Sequence, residues 1–354
     1  MSRLSAVVTL LLALLLILAP AAPLRAQTTT NGTRAVAFDT VIGVQDYFDD
    51  AGGWKTQLIV DPFGTIEVAP RLQVSVRPLI WRVMTGQWEV YVPQASIRYE
   101  FEKGTKWRVE AGKFTSPIGL GMTENRASVN DGVIWWHRGY YSFLPAIGGG
   151  AAPHALIASI YPMGAQVNTS AKHWDARVAF IDRAPADFFH TADPPFRPNG
   201  VVGAGITPRQ GMRIGAAAAW GRSGDTNVSD PYTLVNLEGE YAFGYTKISG
   251  EWTHDRFETP TGNRDAHGAT LQIKQTLTPR IFAHSRATAI TSPVTIPATG
   301  DVPDRTSWYV DSTVAYLVNP QTTVRLAHAA IRRWNVPAVD NQVGVSIVWA
   351  RRWW

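Results

Sequence analysis

The stretch Ser307–Leu326, SWYVDSTVAYLVNPQTTVRL, decides the fold. Its first part alternates with period two: Trp308, Val310, Val314 and Tyr316 fall on one face, and Ser307, Asp311 and Thr313 on the other. Such alternation is typical of a β-strand with one apolar and one polar side. Residues 318–321 follow, where Asn and Pro favour a tight turn, and a second strand begins directly after them.

The same unit repeats along the C-terminal half of the chain. From residue 199 onward the sequence predicts eight strands, joined alternately by tight turns at 207–211, 243–245, 277–280 and 318–321 and by polar loops at about 221–232, 255–265, 291–306 and 334–341. A transmembrane barrel has short turns on its periplasmic side and long loops outside. We therefore predict an all-β, transmembrane antiparallel β-barrel. The alternative is a soluble sandwich or propeller whose core is the apolar face.

The N-terminus predicts a secretory signal peptide. Arg3 precedes an apolar run from Ala6 to Ala19, and small residues lead to Ala26, which is the usual order of such signals. We expect cleavage after Ala26, which makes 1–26 the signal and 27–354 the barrel. Beyond the signal, no apolar stretch reaches the ~20 residues of a membrane helix. Only a closed barrel can then satisfy every backbone amide inside a bilayer.

The composition excludes several kinds of site. The chain has no cysteine, so it has neither disulfides nor Cys-ligated metals, and its eight histidines show no metal-ligand spacing. The 33 Lys and Arg exceed the 28 Asp and Glu by five, and loss of Arg3 and Arg25 with the signal leaves +3. This charge is too small to predict a nucleic-acid partner. We also predict no cofactor, no metal and no catalytic residue.

The strands of the N-terminal half are read backwards from the C-terminus. We predict them at 35–43, 54–61, 65–80, 88–101, 106–114, 154–162, 173–182 and 199–207, with a turn at Asp61–Gly64. The total is sixteen, an even number that puts both termini in the periplasm. Counts of fourteen and eighteen are the alternatives.

One loop is far longer than the others. Residues 115–153 are rich in glycine and aromatic residues, including Trp135, Trp136 and the run Gly148–Gly150. An apolar loop of this length is poorly suited to water, and such loops usually have a function. We predict that it folds into the barrel and narrows it.

Here the chain resembles a known family, the sixteen-stranded outer-membrane porins of Gram-negative bacteria. The stretch Val109–Phe114 with Pro117 and Gly119 resembles the end of the fifth porin strand, where the inward constriction loop begins, and NPQTTVRL at 319–326 is similar to a periplasmic turn. The C-terminus matches in part. One face of the last strand carries Val343, Val345, Ile347, Trp349 and Trp353, but Arg351 lies on the same face and the terminal Trp354 lies on the other.

The resemblance implies a passive channel in the outer membrane, in contact with lipid and lipopolysaccharide. It also implies a homotrimer, and a C-terminal strand that is read by the barrel-assembly machinery. The solutes would be small and hydrophilic, or anions.

The resemblance also implies where selectivity lies. In the family, basic residues on early strands face acids on the inward loop. The corresponding basic wall here would consist of Arg71, Arg77, Arg98 and Arg108. The corresponding loop residues would be Lys113, Glu124, Arg126, Asp131 and Arg138. This arrangement predicts a weak preference for anions. The alternative is that lumen charges pair as structural ladders, with Arg98 near Glu110 and Arg108 near Glu100. The later lumen cations, such as Lys274 and Arg286, are balanced by acids.

Two alternative functions stay open. One is a substrate-specific porin for phosphate, another oligoanion or a carbohydrate, although the lysine content is low for a phosphate ladder. The other is an outer-membrane hydrolase, for which His137 and Ser142 are the nearest pair. No Gly-x-Ser-x-Gly elbow is present, so we predict that the chain is not an enzyme.

Overall fold

The computed structural model describes residues 36–49, 53–82, 87–101, 107–120, 131–132, 161–187, 196–224, 229–259, 262–291, 306–332 and 338–353. Sixteen β-strands account for most of them: β1 Val36–Asp49, β2 Gly53–Ala69, β3 Leu72–Arg82, β4 Trp88–Glu100, β5 Trp107–Lys113, β6 Met163–Ser170, β7 Trp174–Ile181, β8 Asn199–Arg209, β9 Met212–Ser223, β10 Asp230–Phe243, β11 Thr246–Thr259, β12 Gly262–Thr278, β13 Ile281–Thr291, β14 Thr306–Asn319, β15 Thr322–Arg332 and β16 Val339–Arg352.

The described part of the chain contains no helix long and apolar enough to cross a membrane.

The strands form one closed barrel in which each strand is antiparallel to the next along the chain. Closure is made by β1 and β16, which pair over eleven residues from Asp39 opposite Arg352 to Asp49 opposite Gln342. The predicted barrel of sixteen strands is confirmed. Closure also leaves no unpaired edge, which is the condition for a sheet to stand in hydrocarbon.

The burial pattern of this barrel is inverted relative to a soluble protein. On β10, Asn236 and Glu238 point inward and are buried, whereas Val235 and Leu237 point outward and are half exposed. On β14, Asp311 and Thr313 are inside and Val310 and Val314 outside. An apolar outer surface around a polar interior is the pattern of a barrel that faces lipid, so the predicted alternation is confirmed and the soluble sandwich is excluded.

Aromatic side chains stand at both ends of the outer surface. Trp88, Trp220 and Trp308 lie near the loop ends of their strands, and Trp107, Trp174, Tyr245 and Tyr316 near the turn ends. Amphipathic rings concentrate at the two membrane–water interfaces. The two groups therefore mark the borders of the hydrocarbon layer.

The turn predicted at Asp61–Gly64 is wrong. These residues lie inside the long strand β2, and the chain reverses at Pro70 and Arg71 instead. Proline fixes the first φ of such a turn, and Arg71 takes the positive φ of 70° at the next position. Pro62 suggested a turn because proline has no N–H to donate to a ladder. The strand accommodates it because its pairing with β3 is interrupted at this point.

Pro62 lies where the β2–β3 ladder is interrupted. Pairing stops at Val60 opposite Ile80 and resumes at Gly64 opposite Val76, so Pro62 faces Pro78 in the gap. Neither proline has an N–H to donate to the ladder. On the other side of β3, the register with β4 also shifts next to Pro78. This part of the wall has fewer backbone hydrogen bonds than a continuous ladder.

The sixth strand is also displaced from its predicted position. It runs over Met163–Ser170 rather than 154–162, of which residues 154–160 lie outside the described part of the chain. The predicted segment is mostly apolar, with only His154 and Ser159 as polar residues. In the observed strand Gln166 and Asn168 alternate with Ala165 and Val167. The segment between the two strands, which contains the predicted long loop, therefore runs from 114 to 162.

The C-terminal strand has a defined register despite its irregular end. Trp349 and Arg351 share the outer phase and are opposite Ile42 and Thr40 of β1. The guanidinium of Arg351 lies 4.5 Å from the centre of the Trp353 ring, so the charge is held over an aromatic face at the turn end of the barrel. Trp353 also donates its backbone N–H to the carbonyl of Phe38 at 2.8 Å.

Candidate pore lumen and constriction

The first part of the long loop lies inside the barrel. Phe114 and Ile118 are fully buried and form one apolar cluster with inward-facing residues of β7–β11, among them Val201, Leu234 and Phe257. The two ends of the loop are joined where the N–H of Phe114 donates to the carbonyl of Pro162 at 3.1 Å. The predicted inward fold is thus seen in the described loop residues, and apolar burial explains it.

A glycine brings the loop backbone against β11. Gly119 has a φ of 79°, and a Cβ added there would lie 2.6 Å from Oε2 of Glu251. This close approach lets Leu120 donate its N–H to Oε1 of Glu251 at 3.0 Å. The glycine that carried the family resemblance therefore has a local reason, since a side chain would push the loop off the wall.

The middle of the loop reaches the wall formed by later strands. Asp131 accepts a hydrogen bond from Nζ of Lys274 on β12 at 2.8 Å, and Arg325 on β15 donates to the carbonyl of Gly132 at 3.0 Å. The ammonium of Lys274 also lies 4.5 Å from the centre of the Phe282 ring. The acid that sequence reasoning assigned to the loop is thus paired with a lysine of the later wall.

The last described part of the loop is fixed to β3. Arg77 makes a two-pronged ion pair with Asp61 of β2, with both N–O distances 2.7 Å, and donates a third hydrogen bond to the Tyr161 hydroxyl. The Arg77 and Asp61 side chains are only 2% and 1% exposed. This ion pair spans the interrupted β2–β3 ladder and ties the end of the loop to it.

The four predicted wall arginines do not share one environment. Arg77 is neutralised by Asp61, and Arg71 is exposed in the β2–β3 turn, where it donates to the Phe101 carbonyl. Arg98 donates to the side-chain oxygen of Gln73. Arg108 lines a lumen cavity near the end of the barrel that has the short turns.

The ladder partners proposed from the sequence are directly opposite each other. Arg98 faces Glu110, and Arg108 faces Glu100. The Glu110 carboxylate accepts hydrogen bonds from Ser96 at 2.6 Å and Gln166 at 2.9 Å.

The loop residues predicted for the constriction are described only in part. Lys113 is the last residue of β5 and is half-buried, and Asp131 is placed as above. Glu124, Arg126 and Arg138 lie outside the described residues, as do His137, Ser142 and the signal 1–26. Within the described ranges, no three His, Cys, Asp or Glu side chains come together as a metal site.

An ion chain on the lumen wall was missed by sequence reasoning. Arg213 of β9 binds Asp175 of β7 through two contacts of 2.8 Å and Glu238 of β10 at 2.6 Å, and Arg177 reaches the same Glu238 at 3.2 Å. Asp175, Arg177 and Arg213 line a cavity of about 410 Å³ together with Glu100, Arg108 and Asn168.

Glycines on the intervening strand β8 make the ion chain possible. A Cβ on Gly205 would lie 2.6 Å from Arg213, and one on Gly203 would lie 2.7 Å from Arg177. Both glycines are on the inward phase, so the long side chains lie flat across them. Two glycines spaced by two residues on one lumen face were the sequence signal that could have indicated this ion chain.

A second inward segment fills the outer part of the lumen between β7 and β8. Ala184 and Ala186 are fully buried, and Asp187 accepts hydrogen bonds from the Ser223 hydroxyl at 2.7 Å and from the N–H groups of Gly224 and Ala184 at 3.1 Å. Burial raises the pKa of Asp187 to about 6, against the opposing effect of these donors.

Lumen charges on the later strands are also paired. Arg286 and Asp311 form a buried pair at 2.9 Å, and Lys247 contacts Glu240 at 2.8 Å. The expected balance of this half is therefore visible in the contacts.

Comparison with solved structures finds the same architecture. The anion-selective porin from Comamonas acidovorans has a TM-score of 0.62 at 11% identity, covering 90% of this chain and all of that one. OmpT of Vibrio cholerae, an outer-membrane protein, gives 0.61 at 10% identity over 91% and 99% of the two chains. The outer-membrane channel DcaP of Acinetobacter baumannii gives 0.60 at 8% identity over 92% and 100%.

Sequence comparisons add no closer relationship. No family model matches the chain, and no curated protein sequence matches it. At identities of 8–11% the structural likeness establishes the architecture. The chain has the fold of the sixteen-stranded outer-membrane porins.

Proposed function

We propose that the chain is a porin of a Gram-negative outer membrane, a water-filled channel for passive diffusion of small hydrophilic solutes and ions. The observation that carries the proposal is that the described parts of the long loop lie inside a closed polar barrel, with contacts to Glu251, Lys274, Arg325 and Arg77. A loop fixed to several sides of the lumen wall provides a size limit for solutes.

The proposed ion preference is weak and favours anions. Arg77 and Asp131 both contribute to neutral pairs, and Arg71 lies in a turn. We therefore assign the preference to Arg98 and Arg108, which lie on the lumen phase of adjacent strands. Although Glu110 is opposite Arg98, its carboxylate accepts hydrogen bonds from Ser96 and Gln166 and Arg98 donates to Gln73, and Arg108 lines the lumen cavity. The fold shared with the anion-selective Comamonas porin is compatible with this assignment.

The reversal potential in a KCl gradient tests the preference. Replacing Arg98 and Arg108 by glutamine should move it toward the cation side, because two lumen charges are lost. Arg71→Gln is the matched control, since it removes the same charge from the turn and should leave the potential nearly unchanged. An unchanged potential in the double variant would reject this assignment.

The assembly and its surroundings are part of the same proposal. We propose a homotrimer, surrounded by lipid and lipopolysaccharide and inserted by the barrel-assembly machinery through β16. A trimer form of the V. cholerae OmpT shares the fold, with a TM-score of 0.58. The outward phase of Val343, Val345 and Ile347, which ends at Trp349, supports recognition of the last strand.

A further inference from the structure

The lumen cavity near the turn end of the barrel has the size of a small solute. Its volume is about 410 Å³, which corresponds to about a dozen waters of ~30 Å³ each. Gly119 and Leu120 of the long loop line it, together with residues near the turn ends of β4–β7, β9 and β10. The cavity therefore lies between the inward loop and the turns, and it has room for a solute of about a dozen non-hydrogen atoms.

Most of the charged side chains at this cavity are already neutralised. The ion chain of Arg213 consists of two arginines and two acids, whose charges cancel. The carboxylate of Glu240 is paired with Lys247 at 2.8 Å. Gly203 and Gly205 let the arginines of the ion chain lie flat against the wall, where their hydrogen bonds go to the wall and not to a solute.

Glu100 and Arg108 are the exception. They are directly opposite each other on β4 and β5, and both line the cavity. Within the part of the chain that the structure describes, neither side chain makes a hydrogen bond or an ion pair. Arg108 is exposed and Glu100 is half-buried. The cavity thus presents one free cation and one free anion side by side.

The next opposed pair on the same two strands does not share this property. Glu110 is opposite Arg98, but its carboxylate accepts hydrogen bonds from Ser96 and Gln166. Arg98 in turn donates to the side-chain oxygen of Gln73. Both charges of that pair have partners in the wall, whereas those of Glu100 and Arg108 are available to a solute.

The signs of the two free charges decide which solutes are attracted. An anion drawn to Arg108 is repelled by Glu100, and a cation drawn to Glu100 is repelled by Arg108. A sugar can hydrogen-bond to both side chains but gains nothing from their opposite charges. A solute that has both charges is attracted by both side chains at once.

An α-amino acid has the dimensions that the pair requires. Its ammonium nitrogen and carboxylate carbon are about 2.5 Å apart, since one carbon separates them. Directly opposed residues of an antiparallel pair have Cβ atoms about 4.5–5.5 Å apart, so one small solute can contact both side chains. The carboxylate can accept two hydrogen bonds from the Arg108 guanidinium, and the ammonium can donate to Glu100.

We propose that this cavity binds small zwitterionic solutes, of which α-amino acids are the simplest, with the carboxylate on Arg108 and the ammonium on Glu100. Glu100 also offsets part of the Arg108 charge, which agrees with an anion preference that is only weak. The inference names a solute class for the proposed channel and rests on that proposal for transport, although the binding itself requires no conduction.

Saturation-transfer NMR on the folded protein in lipid nanodiscs tests the binding. L-Alanine is the probe, and its uncharged isomer lactamide is the size-matched control. Alanine should give a saturable signal, and lactamide should bind about tenfold more weakly or less. Absence of a saturable alanine signal, or equal binding of the two isomers, would overturn the proposal.

Variants of the two side chains assign the binding to the pair. Glu100→Gln and Arg108→Gln should each raise the half-saturating concentration of alanine about tenfold, because each removes one charged partner. Glu67→Gln combined with Arg71→Gln is the matched control, since it removes an anion and a cation outside the cavity and should change nothing. Alanine binding that survives both single replacements would reject the assignment.

Lactate separates a zwitterion site from an anion site. The wild-type protein should bind lactate more weakly than alanine, because Glu100 repels it. Glu100→Gln should reverse that order, since it removes both this repulsion and the partner of the ammonium group. If the wild type already binds lactate as tightly as alanine, the cavity is an anion site and the proposal is wrong.

Planar-bilayer recording keeps this inference distinct from the channel proposal. Alanine should lower the KCl conductance of the wild type in a saturable way, and Arg108→Gln should weaken this effect. A folded barrel that binds alanine without conducting would refute the channel and support the site. A conducting barrel on which alanine has no effect in either experiment would refute the site and leave the channel.

Discussion

Replacing Arg77 by methionine should destabilise the barrel strongly, although a lumen arginine of a porin would be expected to act on ions. The substitution leaves the Asp61 carboxylate buried without its two-pronged partner, with that side chain 1% exposed. Loss of one member of a buried ion pair costs about 3–5 kcal/mol. The loss falls on the β2–β3 gap at Pro62 and Pro78, where the backbone ladder is interrupted.

Urea unfolding in lipid vesicles, followed by tryptophan fluorescence, measures this cost. Asp61→Asn combined with Arg77→Met removes both charges and should recover most of the lost free energy of unfolding. Arg108→Met is the matched control, because this exposed arginine should contribute less than about 1 kcal/mol. The reasoning is refuted if Arg77→Met costs under about 1 kcal/mol, or if the double variant is no more stable than the single one.

Three further changes test other contacts. Lys274→Met removes the partner that Asp131 contacts at 2.8 Å, so we expect the loop to be held less tightly. The single-channel conductance should become larger and noisier, and an unaltered current trace would contradict the anchoring role of Lys274. Gly205→Val places a side chain where Arg213 lies and should lower the free energy of unfolding by about 1–3 kcal/mol in urea titrations, with Gly239→Ala, which has room for a Cβ, as the control. The pKa of Asp187 is raised to about 6 in the folded state, so its contribution to stability is fully present below pH about 4 and is lost as pH rises through 6. The free energy of unfolding should fall by about 3 kcal/mol over this range, which hydrogen exchange at 184–187 should detect as faster exchange. Asp187→Asn should abolish this pH dependence.

The sequence was sufficient for the barrel and for most of its strands, because lipid imposes a strict alternation on every strand. The pattern of Trp308, Val310 and Val314 predicted the outer face of β14 correctly. It failed at Pro62 and Gly64, since turn residues can also sit in a strand where the ladder is interrupted. It failed again at β6, where the mostly apolar sequence of 154–162 resembled a strand more than Met163–Ser170 did.

The lumen contacts were harder to predict, because they join residues distant in sequence. Asp131 and Lys274 are separated by 143 positions, and period-two alternation places each on a face without naming its partner. The pairing of Arg77 with Asp61 depended on the true position of the β2–β3 turn. The ion chain at Arg213 depended on Gly203 and Gly205 of the strand between its members.

Single-channel recording in a planar bilayer tests the channel itself. Wild-type protein that shows heat-modifiable mobility, and is therefore folded, should insert and give discrete, stepwise increases in current. The current should carry a weak anion preference that Arg98→Gln with Arg108→Gln reduces. A folded barrel that inserts without conducting would contradict the proposal that this chain forms a pore.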